Sequence, residues 1–184
     1  MKNTIAYVTG NNSKFLTGKH FLSNFGIDIE QKILDIPEIQ SDDVEQIAKD
    51  KAEKAFEIVK APIFVNDSGW YIEALNGFPG PFMKYLNHWF SPQDFLNLMN
   101  PYSNRKVVLR QVVVYKDGKN TQVFIHDAIG KILTEARGKS KIPSNQVISL
   151  SFDGSSIAEN AGEAVWEIEE PLWQEFADWI KQNG

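Results

Sequence analysis

Lys14 follows the turn Thr9-Gly10-Asn11-Asn12-Ser13, which cuts off one apolar run and precedes a second stretch of apolar spacing. A strand that stops at such a turn and feeds a helix presents unpaired backbone N–H groups and the positive end of the helix dipole, a combination suited to phosphate. Gly10 would let the backbone come close, and Lys14 would add a full charge. The same residues also make a capped strand-to-helix connection with a surface lysine, and they lack the second glycine and the Lys-Ser/Thr pair of a P-loop. Two acids lie downstream. Glu38, in the segment Asp35-Ile36-Pro37-Glu38-Ile39-Gln40, is either a solvated loop acid or a ligand for Mg2+, which takes oxygen ligands and bridges substrate phosphates. Asp67, beside Ser68 and Gly69 at the end of an apolar run, either forms a turn or serves a metal or a water proton. Lys84 is a helix-surface lysine or a further phosphate contact.

The elements that must position these residues are legible from period and punctuation. Thr4 to Val8 reads as a short buried strand, and a helix from about Ser13 to Asn24 stops at Gly26. Asp28 to Leu34 alternates as a second strand, and Ser41-Asp42-Asp43 caps a long helix with apolar positions Val44, Ile47, Ala48, Ala55, Ile58 and Val59. Ala61 to Val65 is a third buried strand, ended by Asn66-Asp67-Ser68-Gly69. A Pro-Gly-Pro break then leads into two short helices, about Phe82 to Trp89 and Pro92 to Met99. The aromatic side chains Phe82, Tyr85, Trp89 and Phe90 are assigned mostly to the core. Lys106 to Tyr115 and Thr121 to His126 pair as a hairpin about Lys116-Asp117-Gly118-Lys119. Ala128 to Thr134 and Gln146 to Phe152 read as two more strands, and the tail takes helical spacing after Pro171.

These elements sum to a single α/β domain over residues 1–184, with a mixed twisted sheet and helices on its faces. In such sheets ligands bind outside the carboxyl ends of the strands, where Thr9-Gly10-Asn11 and Asp67-Ser68-Gly69 would both lie. The chain has 184 residues, 42% hydrophobic and 23% charged, which is the size and composition of one globular domain. Its formal charge of -5 argues against a nucleic-acid-binding role, which needs a basic excess. With no cysteine there are no disulfides or thiolate metal sites, in keeping with a cytoplasmic protein. No apolar run reaches the roughly 18 residues of a membrane span, so no membrane association is expected.

Taken together the blocks resemble the Ham1 family of inosine triphosphate pyrophosphatases. Thr9-Gly10-Asn11-Asn12-Ser13-Lys14 is similar to the family's opening Thr-Gly-Asn-x-x-Lys, Pro37-Glu38-Ile39-Gln40 to its Glu-centred segment, and Asp67-Ser68-Gly69 to its acidic catalytic segment. Ala74 to Phe82 with Lys84 continue the match, and Arg137-Gly138 resembles one further block. The resemblance implies an elongated, two-lobed α/β fold, usually a homodimer, and Mg2+-dependent cleavage of a nucleoside triphosphate to monophosphate and pyrophosphate. It implies Glu38 and Asp67 as metal ligands, with Asp67, Lys14 and Glu38 catalytic. Thr9, Gly10, Asn11, Asn12, Ser13, Lys14, Ser68, Gly69 and Lys84 would bind substrate, the amides of Gly10 and Asn11 cradling the triphosphate.

Three positions depart from the pattern. Thr17 stands where the family has a glutamate. Lys139 to Val147 replaces an aromatic-rich stretch that helps to hold the base, and the segment from Ser155 to Trp173 contains no counterpart of a Lys and a Ser-His-Arg motif. The gaps fall on the base-recognition side, so altered base choice is expected. The alternative is a non-catalytic nucleotide binder or scaffold that has kept the fold.

Overall fold

The computed structural model describes residues 4–160 and 163–183, without the side chains of 163–167. It contains seven strands, β1 (Ile5–Val8), β2 (Ile29–Lys32), β3 (Ile63–Ile72), β4 (Pro79–Gly80), β5 (Lys106–Lys116), β6 (Thr121–Ile132) and β7 (Ile148–Ser149). Five α-helices accompany them, α1 (Asn12–Asn24), α2 (Val44–Val59), α3 (Met83–Trp89), α4 (Pro92–Met99) and α5 (Glu163–Asn183). The strands make one mixed sheet in the order β2-β1-β3-β5-β6-β7, with β4 paired to β3. The α/β class and mixed sheet expected from the sequence are thus what the chain forms.

Two compact units divide the chain, Met1–Asp67 with Gln111–His126 and Glu169–Gly184, and Ser68–Arg110 with Asp127–Ile168. In the first, β1 runs parallel to β2 and to β3, with Tyr7 opposite Gln31 and Phe64. Parallel strands covered on both faces read as continuous apolar runs, and all four β1 residues are buried. α1 begins where the Asn11 side chain accepts from the amides of Ser13 and Lys14, and it ends ahead of Gly26, whose φ of +75° suits glycine. α2 is capped by Asp43 and buries Val44, Ile47, Ala48, Ala52 and Ala55. Tyr7, Phe64, Trp173 and Phe176 build the core, with Tyr7 stacked on Phe64 at 4.3 Å between ring centroids.

The second unit has its own core around Ile72, Met83, Phe95, Met99, Val107 and Ile148. Ser91 and Asp94 form a reciprocal capping box at the start of α4. Gly138 combines a φ of +73° with main-chain contact, since a Cβ there would lie 2.8 Å from the Ala158 carbonyl carbon. The Arg137 carbonyl accepts from the Ser156 hydroxyl at 2.9 Å. The Arg137-Gly138 block therefore holds two loops together.

Several sequence expectations need correction. Asn66-Asp67-Ser68-Gly69 is not a turn but the middle of β3, which continues to Ile72 because Trp70 and Tyr71 pair with β4. Strand β6 runs unbroken to Ile132, so the stretch from Ala128 belongs to the hairpin arm. Only Ile148–Ser149 of the expected strand from Gln146 to Phe152 pairs, since residues 143–146 turn as a 3-10 helix. α5 starts before Pro171 and contains it; the apolar positions Val165 and Trp166 lie outside the described side chains. Tyr85 and Trp89 are 53% and 70% exposed and stack on each other, so the core assignment fails for this pair. Spaced one helical turn apart, they share the outward face of α3 while Met83 and Leu86 take the inward one.

Candidate active site

The site in the first unit begins with the turn between β1 and α1. Thr9 is buried, its amide is held by the Lys32 carbonyl at 3.0 Å, and its own carbonyl accepts from the Gln31 side chain at 3.0 Å. Its hydroxyl accepts from the Asn11 amide at 3.1 Å. The Asn11 amide is thereby engaged within the turn. Among the described residues the amides of Gly10 and Asn12 have no protein acceptor. Gly10, Asn11, Asn12 and Ser13 are all exposed.

Gly10 is informative because the fold makes no demand for it. Its φ is not left-handed, and a Cβ built there meets nothing within 4 Å. The absent side chain clears space outward, over the turn.

Lys14, in the first turn of α1, points across to β3. Its Nζ donates to the Asn66 carbonyl at 2.9 Å and stands 3.6 Å from Asp67 Oδ1. The parallel register explains the reach. Phe64 lies beside Tyr7, so β3 runs past the end of β1 and carries Asn66 and Asp67 alongside the turn. Asp67 was expected beside a turn and instead lies within a strand.

Glu38 arrives from the loop ahead of α2. Lys54 donates to the Pro37 carbonyl at 3.0 Å, and Lys51 Nζ donates to Glu38 Oε1 at 2.7 Å, so two lysines one turn apart on α2 pin that loop. Lys51 also donates to Asp67 Oδ2 at 3.3 Å. Burial alone would lower the Lys51 pKa, but the two carboxylates outweigh it and hold the ammonium above its ordinary range. Lys14, Asp67, Lys51 and Glu38 thus form one alternating chain of charges. Lys51 was missed from sequence because Lys49, Lys51 and Lys54 among acids read as a solvated helix face.

The remaining expected residues, Ser68, Gly69 and Lys84, belong to the second unit. Ser68 and Gly69 lie on β3, where a Cβ on Gly69 would meet the Tyr71 ring at 2.7 Å. Lys84 is exposed on α3. Among the described residues no group of three or more His, Cys, Asp or Glu side chains forms a metal site.

The arrangement joins a main-chain turn open to an anion, two lysines and two acids on the carboxyl side of β1. The Ham1 family model matches residues 5–163, and the chain belongs to that family. It is 34% identical to a dITP/XTP pyrophosphatase of Methanopyrus kandleri over 182 residues, 97% of each chain. A protein of the same description from Thermococcus kodakarensis is 33% identical over 182 residues, covering 97% of this chain and 98% of the relative. Among solved structures, a HAM1 protein from Coxiella burnetii superposes with a TM-score of 0.82 at 19% identity, covering 97% of this chain and 100% of the other, a likeness of fold.

Proposed function

We propose that the chain is a nucleoside triphosphate pyrophosphatase, hydrolysing a nucleoside triphosphate to the monophosphate and pyrophosphate. The observation that carries this reading is the Lys14–Asp67–Lys51–Glu38 cluster beside a turn whose glycine the fold does not need. The relatives described as dITP/XTP pyrophosphatases support it.

In this reading the triphosphate lies against the Gly10 and Asn12 amides and the Lys14 ammonium, with Thr9, Asn11 and Ser13 shaping the turn. Asp67 orients the attacking water and accepts its proton. The water oxygen bonds to the α-phosphorus, and the bond to the pyrophosphate oxygen breaks. Lys51 holds both acids close, and fixed charges of this kind account for most of the rate in phosphoryl chemistry. Ser68, Gly69 and Lys84 are assigned to substrate on the family pattern.

Glu38 and Asp67 are the ligands we assign to Mg2+. The fit is chemical: both are hard oxygen donors, and they already share one cation, the Lys51 ammonium, so a hydrated ion between them is sterically reasonable. When bound, the metal would neutralise phosphate charge. The whole chain is taken as one Ham1 domain, since β3, β5 and β6 supply residues to both units. A homodimer and a cytoplasmic setting complete the proposal. No helix among the described residues is long and apolar enough to cross a membrane.

The test is a panel of inosine, xanthosine, deoxyuridine and common triphosphates with Mg2+ or Mn2+. Pyrophosphate release from at least one, abolished by Asp67→Asn and much reduced by Lys14→Ala, is expected. Silence across the panel would reject catalysis, and calorimetry would then separate a nucleotide binder from a scaffold.

A further inference from the structure

Of the four residues in the charge chain of the first unit, three stand on regular structure: Lys14 on α1, Lys51 on α2 and Asp67 on β3. Glu38 does not. It belongs to residues 33–40, which leave β2 at Lys32 and run toward α2 with neither helix nor strand. Among the described residues, only two hydrogen bonds tie this segment to the rest of the protein: Lys54 Nζ donates to the Pro37 carbonyl at 3.0 Å, and Lys51 Nζ donates to Glu38 Oε1 at 2.7 Å. Apolar packing adds little, since Ile33, Leu34, Ile36 and Ile39 belong to neither hydrophobic core, and Ile33 is 73% exposed.

The two ends of the segment are fixed. At one, the Lys32 carbonyl accepts from the Thr9 amide at 3.0 Å; at the other, the Ser41 hydroxyl accepts from the Asp43 amide at 3.1 Å, at the cap of α2. Anchored at both ends and held in the middle by two ammonium groups, residues 33–40 are a strap with a latch. Opening it breaks two polar contacts and no strand ladder or buried apolar surface, which places it among the parts of a fold that open most readily. The Glu38 side chain is 54% exposed, so water and salt reach the latch.

We propose that residues 33–40 form a latched strap that opens to admit the polyphosphate, carrying Glu38 away from Lys51. The inference rests on the reading that a polyphosphate binds at Lys14. Charge supplies the reason. With Glu38 in place, the two ammonium groups and two carboxylates of the cluster cancel. With it withdrawn, Lys14, Lys51 and Asp67 present one net positive charge to an arriving anion. The polyphosphate also competes with Glu38 for the Lys51 ammonium, and a ligand shifts the protein toward whichever conformation it binds better. The hinges are the element ends at Lys32 and Ser41, the kind of position that absorbs such a change. Lys14, Lys51 and Asp67 stay where their helices and strand hold them, so opening moves one acid and leaves the rest of the cluster assembled.

The chain has no cysteine, so Ile39→Cys on the strap and Ile58→Cys on α2, both exposed positions, take spin labels at those two sites alone. Pulsed dipolar spectroscopy of the full chain then reads the distance from strap to helix. A short distance at low salt should be joined by a longer one whose share grows about threefold or more between 0.1 and 1 M salt. Lys51→Met and Lys54→Met should each raise that share at low salt, and inorganic tripolyphosphate without divalent cations should raise it at constant ionic strength. A distance unmoved by salt and by both lysine substitutions overturns the strap, whether or not the enzyme turns over. The salt series needs no lysine substitution, so it decides the matter if either variant fails to fold. Tripolyphosphate that binds by calorimetry yet leaves the distance unmoved overturns admission by opening. Tripolyphosphate that fails to bind while salt still moves the strap overturns the phosphate-site reading and the admission role with it.

Discussion

Lys51 Nζ lies 2.7 Å from Glu38 Oε1 although the two residues are thirteen apart in sequence, because the loop ahead of α2 folds back onto the helix it feeds. The same nitrogen is 3.3 Å from Asp67 Oδ2, so one ammonium holds two acids that would otherwise repel. Lys51→Met keeps the aliphatic stem and removes the charge. We expect kcat/KM to fall by about 100-fold, the usual scale for losing one fixed electrostatic group. Binding of Mg2+ to the free protein should tighten, since no ammonium then competes for the two acids. Steady-state pyrophosphate release and metal titration check both, and unchanged values would reduce Lys51 to a loop anchor.

Gly10→Ala separates binding from folding. No protein atom meets the new methyl and φ is not left-handed, so thermal stability should change by no more than about 0.5 kcal/mol. A ligand seated over the turn would meet it, and the KM for the triphosphate should rise about tenfold or more. A variant equal to wild type in KM would place the ligand elsewhere.

Gly18→Ala should act the other way. Replacing glycine inside a helix ordinarily gains about 0.5–1 kcal/mol. Here the added Cβ would stand 3.1 Å from Tyr7 Cε1 and 3.2 Å from the Trp173 ring, and neither of these buried rings has room to give. Overpacking costs about 1–3 kcal/mol, so net destabilisation is expected, read as a lower midpoint in denaturant.

Glu169, on α5, gives the fold a pH dependence of definite sign. Its folded-state pKa is raised by burial, against the opposing bonds from Trp173 and Gln111 and the charge of Lys14. Folding therefore favours the neutral acid: its contribution is complete below the unfolded pKa and is lost as pH rises through the folded one. Glu169→Gln should match wild type in acid and melt at a higher temperature near neutrality. Melting curves across that interval provide the measurement, and a lower Tm for the variant near neutrality would contradict it.

What could be read beforehand was what is local. The capped turn ahead of α1, the lysine in its first turn, the stop at Gly26 and the Asp117 hairpin turn each depend on residues a few positions apart, and sequence spacing encodes such contacts directly. Asp67 was identified by type and neighbours, yet its conformation depends on β4 and on β5, which are supplied later in the chain. Lys51 escaped notice because its acids lie 13 and 16 residues away. Glu169 escaped because Pro171 suggested that regular helix began after it.

The helix α5 lays Trp173 and Phe176 over Tyr7 and Phe64, so β1 is covered by α5. During synthesis, then, β1 has no lid until α5 has left the ribosome. A nascent chain, or one cut ahead of Trp173, would display that aromatic surface to its surroundings, and the cut should cost solubility while sparing every group assigned to phosphate.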